Sequence, residues 1–116
     1  MTGHRNIRTI QGRIFDMSGA IANGCDRQLV LRLRENGRAG HINAIIAPDE
    51  VRQFEDAIGT RLSAVGGMLT EKDTHVDASL SGYWKPRFWT NQRGERLKAF
   101  EFIVSEWTLG DAIPAQ

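Results

Sequence analysis

One cysteine, Cys25, stands in a chain of 116 residues, so an internal disulfide is excluded. No apolar run approaches the roughly 18–20 residues of a membrane span. The start, Met1 to Asn6, lacks the apolar core of a secretory signal. An intracellular, cytoplasmic protein without a membrane partner is the expectation. No Walker-type or Gly-x-Gly-x-x-Gly loop offers a phosphate cradle. His4, His41, His75 and Cys25 do not have metal-ligand spacing. A lone Cys25 with His41 as its nearest histidine in sequence is a poor basis for a nucleophile. No catalytic residue, cofactor or metal is therefore expected. Only one convincing helix is present, so a helix-turn-helix is excluded. Internal repeats and low-complexity segments are absent.

The charges are present but unevenly spread. The formal net charge is only +1. Residues 1–38 carry seven Lys/Arg against three Asp/Glu, residues 39–84 three against seven, and residues 85–116 five against four. A basic–acidic–basic chain can fold into a body with one basic face.

The aromatic residues are concentrated as well. Residues 82–107 hold all three tryptophans, the only tyrosine and three of the five phenylalanines. Lys85, Arg87, Arg93, Arg96 and Lys98 are interleaved with them, against Glu95 alone over 84–98. Aromatics alternating with cations suit a surface on which bases stack while phosphates are neutralised.

Hydrophobic periodicity sets the expected elements. Residues 8–15 read as a first strand, with a bulge or bend at Gly12, and 16–26 as a loop rich in Gly, Asn, Ser and Asp. Residues 27–34 alternate, with Leu29, Leu31 and Leu33 on one side and Gln28, Val30, Arg32 and Arg34 on the other. Asn36-Gly37 marks a hairpin, and 41–46 a third strand. Pro48, Asp49 and Glu50 suit a helix start. Val51, Phe54 and Ile58 share a helical face, and Gly59 is placed to end the helix. Residues 60–69 read as extended, with Gly66-Gly67 a bulge. Residues 76–84 and 96–107 form two more strands around a turn at 91–94. Residues 1–110 make one domain, and 111–116 read as a flexible tail. Strands with one short helix after the third match the five-stranded Greek-key barrel of the OB-fold, an all-β class. An SH3-like barrel or small sandwich would show similar strands.

Residues 82–104 resemble strands four and five of the bacterial single-stranded-DNA-binding proteins. The resemblance rests on Gly82, the basic stretch Tyr83 to Phe88, Trp89, the loop Thr90 to Gly94, and the alternating strand Glu95 to Val104. OB domains that accompany helicases show a related strand and basic hairpin. Residues 41–69 are similar to the family's third strand, helix and following strand. Either 59–69 or 76–84 is then surplus to five strands and reads as an extended hairpin arm. His41 falls where the family has Trp-His, and the tryptophan is missing. The family's Gly-rich linker and acidic tip have no counterpart in Asp111 to Gln116, which fits an accessory role.

The resemblance implies a non-catalytic protein that binds single-stranded DNA with little sequence preference, in replication, repair, recombination or plasmid transfer. RNA fits the same chemistry. A homo-oligomer, dimer or tetramer, is implied too. The resemblance implies that Trp89 stacks on bases. Trp84 and Phe88 are further stacking candidates, and Lys85, Arg87, Arg93, Arg96 and Lys98 are phosphate candidates. Arg32 and Arg34 point away from the core on the strand two–three surface that OB-folds use. Trp107 ends a strand and reads as core. Phe100 and Phe102 share a face that is either core or groove. The competing class is a protein-interaction module with the aromatic hairpin in an interface, because Trp, Tyr and Arg also dominate interface hot spots.

Overall fold

Alternation between a buried and an open face organises the strands of this computed structural model, which describes residues 6–22 and 26–114. The strands are β1 (Arg8–Ala22), β2 (Asp26–Glu35), β3 (Ile42–Ile46), β4 (Thr74–Thr90) and β5 (Arg96–Pro114). Helix α1 (Val51–Val65) follows a 3-10 turn at Pro48–Glu50. The sheet closes as a barrel in the order β1-β2-β3-β5-β4. β1 returns to pair with β4, and β3 meets β5 in parallel through Ala44↔Phe102 and Ile45↔Ile103. This is an OB-fold, with its helix between the third and fourth strands. No described helix is long and apolar enough to cross a membrane.

Leu29, Leu31 and Leu33 face inward and are at most 1% exposed. They meet Ile10, Ile14, Leu80 and Phe102 from the other walls of the barrel. α1 closes the barrel with Val51, Phe54 and Ile58. Arg61 ties the helix to β5: its guanidinium donates to the carbonyls of Ala57, Leu109 and Gly110 at 2.8–3.1 Å.

Four expected boundaries differ. First, the expected loop at 16–26 is largely strand, because Asp16 to Ala22 zip against Arg32 to Asp26. A β-rich partner edge prevails there over loop-like composition. The bulge in β1 falls between Ile14 and Asp16, at Phe15, not at Gly12.

Second, the helix passes Gly59 and ends at Val65. Leu62 extends the apolar stripe of Val51, Phe54 and Ile58 and packs on the core. That burial outweighs the roughly 1 kcal/mol an interior glycine costs. Gly66 is the helix cap rather than a strand bulge. Its φ of 63° is left-handed, and its N–H reaches the carbonyls of Leu62 and Ser63.

Third, the surplus segment 59–69 is helix end and turn, so 74–90 is the fourth strand. Fourth, 111–114 are strand rather than tail, since β5 pairs Thr74↔Pro114 and His75↔Ile113. The hairpin arm is the far end of β4 and β5, where every residue from Lys85 to Thr90 is exposed. Cys25, His4 and the last two residues lie outside the described set.

Two glycines give opposite predictions. A Cβ on Gly82 would collide with the carbonyl of Ile103 on β5, its carbon 2.8 Å away. Gly82→Ala is expected to lower stability by about 2–4 kcal/mol. A Cβ on Gly59 would meet nothing within 4 Å. Gly59→Ala is expected to raise stability by about 0.5–1 kcal/mol. Urea denaturation followed by circular dichroism measures both, and a stabilised Gly82→Ala would contradict the close strand approach.

Candidate nucleic-acid interface

The arm inherits its two faces from the barrel. On β4 the even-numbered residues from Thr74 to Gly82 are buried. The same parity carries Trp84, Pro86 and Phe88 along the inner side of the arm. Cross-strand pairing sets Phe102 beside Trp84, Phe100 beside Pro86, Lys98 beside Phe88 and Arg96 beside Thr90. The inner face therefore holds Trp84, Phe88, Arg96, Lys98 and Phe100. The reverse face holds Lys85, Arg87 and Trp89, opposite Glu101, Ala99 and Leu97. The three stacking candidates are thus split: Trp84 and Phe88 share a face, and Trp89 occupies the other.

Phe100 and Phe102 show the change from core to surface along one face. Phe102 is 0% exposed and Phe100 is 54% exposed. Trp84 stands between the two settings, edge-on to Phe102 with ring centroids 5.2 Å apart. Trp107 behaves as core: it packs edge-on to Phe54 at 4.8 Å and donates its indole N–H to Glu50 at 3.2 Å. The register shift at Ser81/Gly82 turns it inward. Strict alternation from Phe102 would have turned it out.

Cations on the arm sit over rings. Lys98 Nζ is 4.9 Å from the Phe100 centroid and 5.6 Å from that of Phe88. The Arg96 guanidinium lies 5.1 Å from the Phe88 centroid, and that of Arg87 5.5 Å from Trp89. Arg87 also reaches Glu101 at 3.8 Å, and Arg93 reaches Glu95 at 3.9 Å beside the turn. Lys85, Arg96 and Lys98 pair with no carboxylate among the described residues. Asn91 holds the turn, its side-chain oxygen accepting from the N–H groups of Arg93 and Glu95 at 2.9 Å.

A second cationic patch lies on the outside of β1 and β2. Phe15, extruded by its bulge, is only 3% exposed. It is covered by the guanidinium groups of Arg34 and Arg32, 4.8 and 5.4 Å from its centroid, and flanked by the rings of His41 and His75. These arginines are internally compensated. Arg32 pairs with Asp16 at 3.7 Å, and Arg34 with Glu71. The Arg34 hydrogen bond and charge hold the Glu71 carboxyl below its ordinary value of 4.5.

His41 links the two regions. It lies within 3.3 Å of Arg32, and it shares with Trp84 the lining of a concavity of about 240 Å³. Glu35 and Arg38 of the β2–β3 turn line the same concavity. The candidate residues are therefore brought onto one path: arm, Trp84, turn, Arg32, Arg34. Only Trp89, Arg87 and Lys85, on the reverse face, and Arg93, in the turn at the arm's tip, lie off it. Sequence reasoning passed over Phe15, Glu35, Arg38 and Glu71. Arg38 had a local signal, a cation directly after a hairpin turn. Glu71 had none, because its partner lies 37 positions away.

No family model matches the chain, and no curated protein matches it in sequence. The fold has solved counterparts. A crystal structure of the mitochondrial single-stranded DNA binding protein Rim1 from S. cerevisiae superposes with a TM-score of 0.53 at 13% identity. The match covers 92% of this chain and 96% of that one. It is a likeness of fold.

The Glu71–Arg34 pair yields a pH prediction. Glu71 has a folded value below its unfolded one. Its pairing therefore stabilises the fold above the ordinary carboxylate range and is lost as pH falls through the lowered value. A carboxyl-carbon NMR titration should place the Glu71 midpoint below 4.5. Arg34→Ala should return it toward that value. An unchanged midpoint in the variant would remove Arg34 as the cause.

Proposed function

We propose that this protein is a non-catalytic single-stranded-DNA-binding protein with little sequence preference. The observation that carries the reading is the inner face of the arm. It presents Trp84, Phe88 and Phe100 together with Arg96 and Lys98, which pair with no carboxylate among the described residues. Every base has a π-face and every nucleotide a phosphate, so rings and cations in alternation hold a strand without reading it. The fold likeness to a single-stranded DNA binding protein supports the same reading. The strand enters along the arm, passes Trp84 and the β2–β3 turn, and ends over Arg32 and Arg34. Trp89, with Arg87 and Lys85, serves strands long enough to turn around the arm, where Arg93 meets them. RNA would satisfy the same contacts. Protection of exposed strands in replication, repair, recombination or plasmid transfer is the corresponding role.

A second reading has its own observation. Trp89 and Leu97, 39% and 37% exposed, sit opposite each other on the reverse face beside Ala99. That face suits contact with a second copy, giving a dimer or tetramer. Salt separates the readings: strand binding weakens steeply with salt, and an apolar contact does not.

Tryptophan fluorescence titrated with oligo-dT tests the proposal. Strong quenching at low salt that fades at high salt is expected. Trp84→Ala and Phe88→Ala should each weaken binding by about 1–3 kcal/mol. Trp89→Ala should matter only for long oligonucleotides. Absence of quenching at low salt would sink the strand reading and leave the interface reading.

Glu71 supplies an independent check. Its carboxylate occupies the place on Arg34 that a phosphate would take. Glu71→Gln is expected to tighten oligo-dT binding and to steepen the salt dependence, by about 0.7 in the log–log slope for one added phosphate contact. Weaker binding in this variant would show that the pair positions Arg34 rather than blocking it.

A further inference from the structure

We infer that the concavity between Trp84 and the β2–β3 turn is a base-reading subsite that prefers cytosine to thymine, with Glu35 and Arg38 as the reading pair. The inference rests on the single-strand reading above and sharpens it at one position of an otherwise tolerant path.

Three neighbouring concavities share the Trp84 side chain as a wall. Glu35 and Arg38 line two of them, and Arg8 lines the other combination of two. The larger of the two that Glu35 and Arg38 line, about 240 Å³, is also lined by the segment from Ala39 to Ile42. That is below the roughly 300 Å³ at which drug-sized ligand sites begin, and suits one pyrimidine ring. A base in it could stack on Trp84, which is 39% exposed and packs at a steep angle against Phe102.

The charged groups lining this concavity are of opposite sign and paired with each other. Glu35 Oε1 and Arg38 Nε form an ion pair at 3.4 Å. The Glu35 side chain is 29% exposed and that of Arg38 76% exposed, so the carboxylate is the sheltered member. Cytosine presents an amino donor at N4 beside acceptors at N3 and O2. A carboxylate accepts from the N4 amino group, and a guanidinium donates to the neighbouring acceptors. Thymine puts O4 where cytosine has the amino group. Its one ring donor, N3–H, lies between two carbonyl oxygens that face the carboxylate unfavourably. The two rings stack alike, so the edge alone decides. A good bidentate pair discriminates by roughly 5- to 150-fold. Because Arg38 is open to water, the low end, about five-fold, is expected here.

The test compares oligo-dC with oligo-dT of equal length by fluorescence anisotropy, using the full chain at fixed salt. Mildly alkaline pH keeps cytosine N3 unprotonated. Wild type should bind dC about five-fold tighter than dT. Glu35→Gln should bring the ratio to about one, because an amide presents both a donor and an acceptor. Loss of a negative charge tightens both oligonucleotides together and cancels in the ratio. A wild-type ratio of one or less overturns the subsite, and so does a preference that survives Glu35→Gln. If both bind equally, only this inference falls. If neither binds, the strand reading falls with it.

Discussion

One antiparallel ladder carries both the core and the candidate site. β4 and β5 stay paired from Thr74↔Pro114 to Thr90↔Arg96, through the barrel wall and out along the arm. Side chains on a strand alternate without exception unless a bulge intervenes. On the arm side of the Ser81/Gly82 shift no bulge is present. Burial of Phe102 therefore dictates that Trp84 and Phe100 emerge on the same side, and that Trp89 does not. A one-residue slip would bury Tyr83 and Ile103 and turn the phenylalanines outward. The energy that prevents the slip is the burial of Leu80, Phe102 and Val104, each roughly 1.5–3 kcal/mol. The arm's chemistry is thus oriented by residues that never touch a ligand.

The two cationic patches differ in what already neutralises them. Arg13, Arg32 and Arg34 on the barrel each have a carboxylate, from Asp77, Asp16 and Glu71. Exposed pairs of this kind contribute little to stability, with a median near 0–1 kcal/mol. They would set a threshold for the proposed strand, since a phosphate would have to displace a carboxylate already in place. On the inner face of the arm, Arg96 and Lys98 lie over phenylalanine rings instead. A ring holds a cation in position without cancelling its charge. The arm therefore carries the less compensated charge, although Arg32 and Arg34 look equally basic in the sequence.

The closed barrel, the alternation of β2 and the position of the helix were legible because each rests on local periodicity. Leu29, Leu31 and Leu33 declare one face within five residues. What was not legible depended on partners far along the chain. Residues 16–22 look like a loop until β2 supplies an edge. Gly59 looks like a stop until Leu62 is seen to reach the core, which local composition does not reveal. The strand at 111–114 exists because Thr74 and His75 offer it a partner. Candidate residues were recognisable by type, as aromatics among cations. Their division between two faces was not, because it follows from where parity is anchored. The bulge that extrudes Phe15 under two arginines also had no local sign.

Cations resting over rings bear on how the arm could exchange partners. A cation–π contact at an exposed site is worth about 0.5–1 kcal/mol. Stacking of a base on the same ring is worth about 1–3 kcal/mol. If the arm binds a strand as proposed, an incoming base would displace Lys98 from above Phe88 or Phe100 at a net gain. On the proposed strand-binding reading, the displaced ammonium would be free to meet the phosphate of the stacked nucleotide. One event would then create both contacts, and the lysine would change partner without passing through a bare state. A lysine held by a carboxylate would have to break a charged pair first. The rigid ladder fixes the rings, while the flexible Lys98 stem supplies the movement. Under the proposed function, this division of labour would let a face with fixed geometry accept successive bases of different size.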